Sequence, residues 1–358
     1  MYIDFKVILY TLFNLLLLTR VCCDRMVENS ESVVEYDKYI LDSFEFESGN
    51  VLDNVVVEYM AKGTPKYDDE GNIKNVVVFC HKFNSNYSSL SDLYRITGEG
   101  KPFDFNNYYF ISITSLGFTE SCSPSSTGLK HKFPKYTILD RVNFKRQFLK
   151  EKFGIENVHG LIGRGVGGYE IYTWACEYPD EMDFIIVNGS SYKTNGYRYV
   201  VSKAMESMIE SSDDYYSDVY NDSLSRIMVS INKLLYSNYF SKNIFQNMSN
   251  AEIDVLMDDF VDDGLFVDIY DFKLRNDAIL EYNVEDKLIN IKADALIISS
   301  NNDMYYTPEF DFMPLENLIE NCKLILFEPK RDYISYENDP RIDEELWEFL
   351  DNLKVKKE

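Results

Sequence analysis

Histidine is nearly absent from this chain. Only three occur in 358 residues, His81, His131 and His159, and the second half has none. No imidazole after residue 159 can therefore serve as a general base. Cysteine is sparse as well. Cys22 and Cys23 fall in a hydrophobic leader, while Cys80, Cys122, Cys176 and Cys322 are dispersed. That spacing suits reduced thiols better than a disulfide framework, and with the scattered histidines it predicts no metal site. Positive charge is short: 36 Lys and Arg face 60 Asp and Glu, for a net charge of -24. Nucleic acid and anionic membrane surfaces are poor partners for such a chain. The bearing on anionic cofactors is weaker, because a local basic patch would still admit one. Long apolar runs are missing too. Val7 to Leu18 is mostly apolar, between Lys6 and Arg20, but too short to span a bilayer. It suits a signal-peptide core, and secretion is one reading. The other takes Met26 as the true start, since the segment after it runs straight into the folded pattern; this cytoplasmic reading is our expectation.

What the chain does have is apolar and aromatic content. It is 45% hydrophobic, with 28 tyrosines and 24 phenylalanines, enough for one elaborated domain, or a domain with a lid. Its most informative stretch is Gly163-Arg164-Gly165-Val166-Gly167-Gly168. Before it, 158–163 reads as a short buried strand; after it, 169–176 reads as a helix that stops ahead of Pro179. A second buried strand, 184–189, completes a parallel βαβ unit. A dinucleotide fingerprint is the rival reading of these glycines. It wants an acidic residue about twenty positions on, at a strand end, and Asp183 is expected to precede its strand.

The strand-turn-helix is also where a G-x-S-x-G nucleophile elbow would sit, and the serine position holds Gly165. Around it the chain resembles the homoserine O-acetyltransferase family of α/β-hydrolases, from about Phe44 to the C-terminus. Phe46-Glu47-Ser48-Gly49, Val57-Glu58-Tyr59 and Gly63-Thr64 match the family's opening hairpin. Asn75 to His81 matches the strand beside the oxyanion loop. Leu116-Gly117, Ser123-Pro124-Ser125-Ser126, Phe133-Pro134 and Thr137-Ile138-Leu139-Asp140 follow in the family's order. Trp174-Ala175 and Tyr178-Pro179-Asp180 complete the helix after the elbow. Ile291 to Ile298, with Asp303 and Pro308, matches the late strand and its acid loop.

The resemblance implies an α/β-hydrolase fold, a mostly parallel central sheet flanked by helices. It implies a core of residues 26–191 and 285–358 and a helical lid of 192–284. It places the catalytic acid at Asp303, the nucleophile at Gly165 and the general base at Arg331, within Lys330-Arg331-Asp332. Two of three triad members are then absent, and either loss alone costs on the order of a million-fold in a serine protease. His81, Lys82, Phe83 and Val166 fall in the pocket or oxyanion region. An arginine at 331 can pair with Asp303 or point to solvent. Arg164 occupies the old pocket or lies on the surface, and the surface is the expectation. Cys80, Ser85, Ser115, Ser123, Ser125 and Ser126 are substitute nucleophiles to weigh, each needing a base or a lowered pKa. Cys80-His81 is disfavoured because strand neighbours face opposite ways.

The insertion reads as helical and acidic. Ile227, Ile231, Leu234 and Leu235 make an apolar stripe. Ser249-Asn250-Ala251-Glu252 is a capping box ahead of Ile253, Leu256, Met257 and Phe260, with Asp254, Asp258 and Asp262 on a solvated face. Two functions stay open. One is a non-catalytic relative that binds a small ligand or a partner, as a homodimer or with an active paralogue. The other is an acyltransferase or hydrolase using a non-standard nucleophile on an acyl-CoA or ester. No bound cofactor is expected in either case.

Overall fold

The computed structural model describes residues 33–217, 219–240, 242–328 and 340–357. The leader, Met26 and Arg331 lie outside them. Eight strands form one sheet: β1 (Val33–Glu45), β2 (Val51–Gly63), β3 (Val76–Cys80), β4 (Tyr109–Ile113), β5 (Val158–Arg164), β6 (Met182–Asn188), β7 (Asp294–Ser300) and β8 (Cys322–Phe327). Their order is β1-β2-β4-β3-β5-β6-β7-β8. The opening hairpin is antiparallel, as is β2 to β4; every pair from β4 to β8 is parallel. This is the α/β-hydrolase architecture expected from the sequence. The hairpin turns at Phe46 to Asn50, where Gly49 takes φ +78° and donates to the Phe46 carbonyl at 2.8 Å.

The parallel strands are covered on both faces, so their side chains alternate between two cores. Val76, Val78 and Cys80 enter one apolar cluster; Val77 and Phe79 enter the other. The first cluster holds α1 (Ile138–Phe153) and α2 (Val166–Glu177). Thr137 opens α1 with a capping box to Asp140, and Gly154 closes it at φ +67°. Helix α2 begins three residues earlier than the periodicity predicts, because the Gly165 turn feeds straight into it. Every residue from Val166 to Cys176 is buried, so no amphipathic stripe marks the start.

Between β6 and β7 the chain builds a helical insertion. It comprises α3 (Gly196–Glu210), α4 (Asp213–Tyr216), α5 (Asp222–Ser237), α6 (Lys242–Gln246), α7 (Asn250–Phe266) and α8 (Ile269–Leu280). Ile231 and Leu235 of the predicted stripe are buried, and Leu224 and Met228 extend it along α5. Ser249 and Glu252 make the capping box of α7. Asp254 and Asp258 are exposed, while Lys233 reaches Asp258 at 3.2 Å. Gly264 lets α7 approach α5 closely: a Cβ there would stand 2.8 Å from the Val229 Cα. A short α9 (Leu315–Leu318) precedes β8. The last helix, α10 (Pro340–Lys357), seals the second core with Ile342, Leu346, Phe349, Leu350 and Leu353. Among the described residues no helix is long and apolar enough to cross a membrane. Cys80, Cys122, Cys176 and Cys322 are free thiols.

Candidate functional site

Strand β5 ends at Arg164, and α2 starts at Val166. Gly165 makes the turn between them at φ +52°, ψ -121°, a conformation that costs a side-chain-bearing residue strain. The flanking glycines serve packing. A Cβ at Gly167 would run into the Cys80 carbonyl, and one at Gly168 into Ser190. Gly165 has open space: a Cβ there would lie 3.8 Å from the Tyr306 hydroxyl and 3.9 Å from the Lys82 Cβ. The turn is pinned by its own backbone. Gly165 N–H donates to the Gly189 carbonyl at 3.0 Å, and its carbonyl accepts from Ser190 Oγ at 2.6 Å.

Above the turn lies a cavity of about 290 Å³. Lys82, Phe83 and Asn84 line it from the loop after β3, and Arg164, Gly165, Val166 and Tyr169 from the elbow. Ser202 and Met205 of α3, Leu235 and Tyr236 of α5 with Asn238, Tyr239 and Phe240 just after it, and Asn276 and Ile279 of α8 form its roof. Asp303, Tyr305 and Tyr306 close it from the loop after β7. Two expectations are corrected. Arg164 is half-buried against the cavity, because β5 delivers it to the rim beside Gly165. His81 is fully buried and does not line it. The Ser115 N–H donates to His81 Nε2 at 2.9 Å, so the proton sits on Nδ1, 2.9 Å from the Lys82 carbonyl. Burial, with the Lys145 charge nearby, pushes the ring down to about 3. His81 is thus a neutral brace for the Lys82 loop.

Asp303 is 7% exposed. Its Oδ1 accepts from the N–H groups of Tyr305 and Tyr306, both at 2.8 Å. Burial pushes the carboxyl up to about 7; those two bonds oppose the rise, and Asp311 adds to it. A clamp holds this loop to the roof. Arg198 of α3 grips Asp311 in bidentate fashion at 2.6 and 2.7 Å and donates to the Tyr305 carbonyl at 2.9 Å. Both partners are almost fully buried. The sequence reading did not find this clamp, since 113 residues separate its halves.

Beneath the elbow runs a second buried network. Glu170 of α2 meets Arg141 at 2.5 Å and Lys145 at 2.8 Å, all with fully buried side chains. Ser115 Oγ donates to the same carboxylate at 2.8 Å. Burial raises the Glu170 pKa, but the two cations outweigh it and hold the carboxyl at about 2. This network had a signal in sequence: Glu170 is the one acid between Val166 and Cys176, and Arg141 and Lys145 stand four apart on one face of α1.

Burial pushes the Cys80 thiol up to about 12. Cys80, Ser85, Ser115, Ser123, Ser125 and Ser126 do not line the cavity. Ser125 is tied to Asp271 by its N–H and hydroxyl at 2.8 and 2.7 Å. His159 pairs with Asp183 at 2.6 Å. Asp183 lies inside β6, not before it as expected, and at its N-terminal end. That is the wrong end for a dinucleotide ribose. Among the described residues no group of His, Cys, Asp and Glu is arranged to hold a metal.

No protein-family model matches the chain. A protein of Methanothermobacter thermautotrophicus described as a "Probable acyltransferase" is 36% identical over 310 residues, 87% of this chain and 96% of its own length. The homoserine O-acetyltransferase of Methanosalsum zhilinae is 26% identical over 327 residues, 79% of this chain and 65% of that protein. The solved homoserine O-acetyltransferase of Bacillus anthracis superposes with a TM-score of 0.76 at 18% identity, covering 89% of this chain and 98% of that one. An acetylester hydrolase from Corynebacterium glutamicum gives 0.77 at 19% identity, covering 88% and 96%. These two structures speak for the fold. With the sequence relatives, they make the chain a member of the homoserine O-acetyltransferase-like family of α/β-hydrolase-fold proteins.

Proposed function

We propose that this protein is a catalytically silent member of its family that uses the inherited cavity to bind a small ligand, with α3 to α8 as its lid. The carrying observation is Gly165. It stands at the strand-to-helix turn on the cavity floor, where the family resemblance puts the nucleophile, and it has nothing to attack with. The histidine count supports the same reading. His81 is a structural brace, His159 pairs with Asp183 at 2.6 Å, and neither lines the cavity; nor does His131. The high pKa of the Cys80 thiol speaks against the rival reading, an acyltransferase or hydrolase with a substitute nucleophile.

Incubation with acetyl-CoA and homoserine, and with a panel of acyl esters, tests the proposal. Intact-protein mass should show no acyl adduct, and product formation should stay at background for the protein and for Gly165→Ser. Turnover at ordinary enzyme rates, about 1–1000 per second, would refute it. A ligand that raises the melting temperature without being transformed is the supporting result.

A further inference from the structure

Seven of the 22 residues that line the cavity are aromatic, against 15% of the chain as a whole. Four of the seven, Tyr236, Tyr239, Tyr305 and Tyr306, are only half-buried, so they keep surface that a ligand in the cavity can touch. These rings are grouped. Tyr305 and Tyr306 stand 5.0 Å apart at 86°, and the Tyr169 ring meets Tyr306 at 6.4 Å and 82°. Burial pushes the Tyr305 and Tyr306 phenols above their ordinary pKa, and the nearby hydroxyls of Tyr169 and Tyr239 add to the rise. Rings from α2, from the loop after β7 and from the segment after α5 thus close on one space.

That space reaches the cavity floor. The Tyr306 hydroxyl is 3.8 Å from where a Gly165 Cβ would be, so the missing side chain leaves room beside this ring. The volume sets the size of the guest. An apolar cavity of about 150 Å³ holds a benzene molecule, so the volume of about 290 Å³ admits a body of one or two fused rings. Aromatic rings favour offset-stacked or edge-to-face contact with other rings, which adds to what burial alone gives. Two perpendicular tyrosines present a face and an edge to one flat guest. Charge argues against the other guest of an aromatic wall, an organic cation. The Arg198 guanidinium already lies 5.2 Å from the Tyr306 ring centre, and the cations Lys82 and Arg164 line the cavity beside a single acid, Asp303.

We propose that the cavity recognises a neutral aromatic body of one or two fused rings and prefers it to a saturated ring of the same outline, with Tyr239, Tyr305 and Tyr306 setting the preference. The inference rests on the reading that this site binds a small ligand without transforming it.

The test uses the full chain and three probes, benzyl alcohol, cyclohexylmethanol and the benzyltrimethylammonium ion, titrated by ligand-observed NMR. Burial alone favours cyclohexylmethanol, which carries the larger apolar surface. Recognition of the ring reverses that order, and benzyl alcohol should bind about three- to tenfold more tightly. Tyr306→Leu and Tyr239→Leu should each lower this ratio at least about twofold by weakening benzyl alcohol, with the melting temperature reporting that the variant is folded. Tyr306→Phe keeps the ring and should keep the ratio. If Tyr306→Leu does not fold, Tyr239→Leu, in the segment after α5, carries the comparison. Equal or tighter binding of the saturated ring, no binding of benzyl alcohol, or a ratio that survives in a folded leucine variant overturns the proposal. Tighter binding of the ammonium ion than of benzyl alcohol overturns it in favour of a cation site. Acetyl-CoA added to the benzyl alcohol samples judges catalytic silence separately: benzyl acetate with free coenzyme A would sink that reading and leave the affinity ratio to decide ring recognition.

Discussion

Replacing Glu170 by glutamine removes the only carboxylate that touches Arg141 and Lys145 among the described contacts, and it leaves the shape of the side chain almost unchanged. The magnitude follows from the buried geometry. A carboxyl held at about 2 in place of 4.5 is stabilised by about 3 kcal/mol, at about 1.4 kcal/mol per pH unit. Stranding two cations at zero exposure gives a similar figure, roughly 3–5 kcal/mol. Glu170→Gln should therefore lower unfolding stability by about 3–5 kcal/mol at pH 7. The sign with pH is fixed because the folded pKa is depressed. The ion-pair contribution is complete above pH 4.5 and fades as pH falls toward 2, so the difference between the proteins should shrink by about 1 kcal/mol at pH 4. Urea unfolding followed by tryptophan fluorescence is the assay; Trp174, buried one turn along α2, reports on this region. A triple variant, Glu170→Leu with Arg141→Met and Lys145→Met, should recover most of the loss, because an apolar cluster has no charge to strand. A loss below about 1 kcal/mol at pH 7, or one that stays constant down to pH 4, would refute the reasoning.

Arg198→Ala strands Asp311 beneath the acid loop and should cost roughly 3–5 kcal/mol, read as a lowered urea midpoint with an unchanged slope. Gly165→Ser meets open space but must hold φ +52°, so it should lose only about 1–3 kcal/mol; Gly167→Ala, forced against the Cys80 carbonyl, should lose more, and the reverse order of melting temperatures would contradict the packing argument. Asp303, raised to about 7 by its described surroundings, contributes stability that is complete below pH 3.8 and lost as pH rises through 7, unless a cation joins it. We propose that Arg331 is that cation. Arg331→Ala should then destabilise the protein more at pH 8 than at pH 4, Asp303→Asn should relieve the loss, and a double-mutant cycle without coupling ends the idea.

Local features were the legible ones. The strand at 158–163, the turn at Gly165, the capping box at Ser249 and the apolar stripe on α5 each follow from spacing within a dozen residues. The start of α2 was misjudged because a helix buried on every side shows no period. The Arg198–Asp311 clamp and the Asn276–Ser202 contact join residues 113 and 74 apart, and nothing in either local segment announces its partner. Arg164 was misplaced for a related reason. A charge beside a glycine turn looks like surface in sequence, yet the end of β5 opens onto a cavity whose roof is supplied by residues 202–279.

The glycine contacts also bear on why position 165 lacks a side chain. Gly167 and Gly168 have no choice, since a methyl group at either would collide with Cys80 or Ser190. Gly165 is different, for no atom stands within 3.8 Å of where its Cβ would be. The fold thus has room for a serine at the turn, at a backbone cost of roughly 1–3 kcal/mol, a strain that an enzyme accepts when the hydroxyl does chemistry. Without that chemistry, glycine at this φ is the more stable choice. The absence of a nucleophile is therefore not imposed by packing, and this supports the reading that the cavity binds its ligand without transforming it.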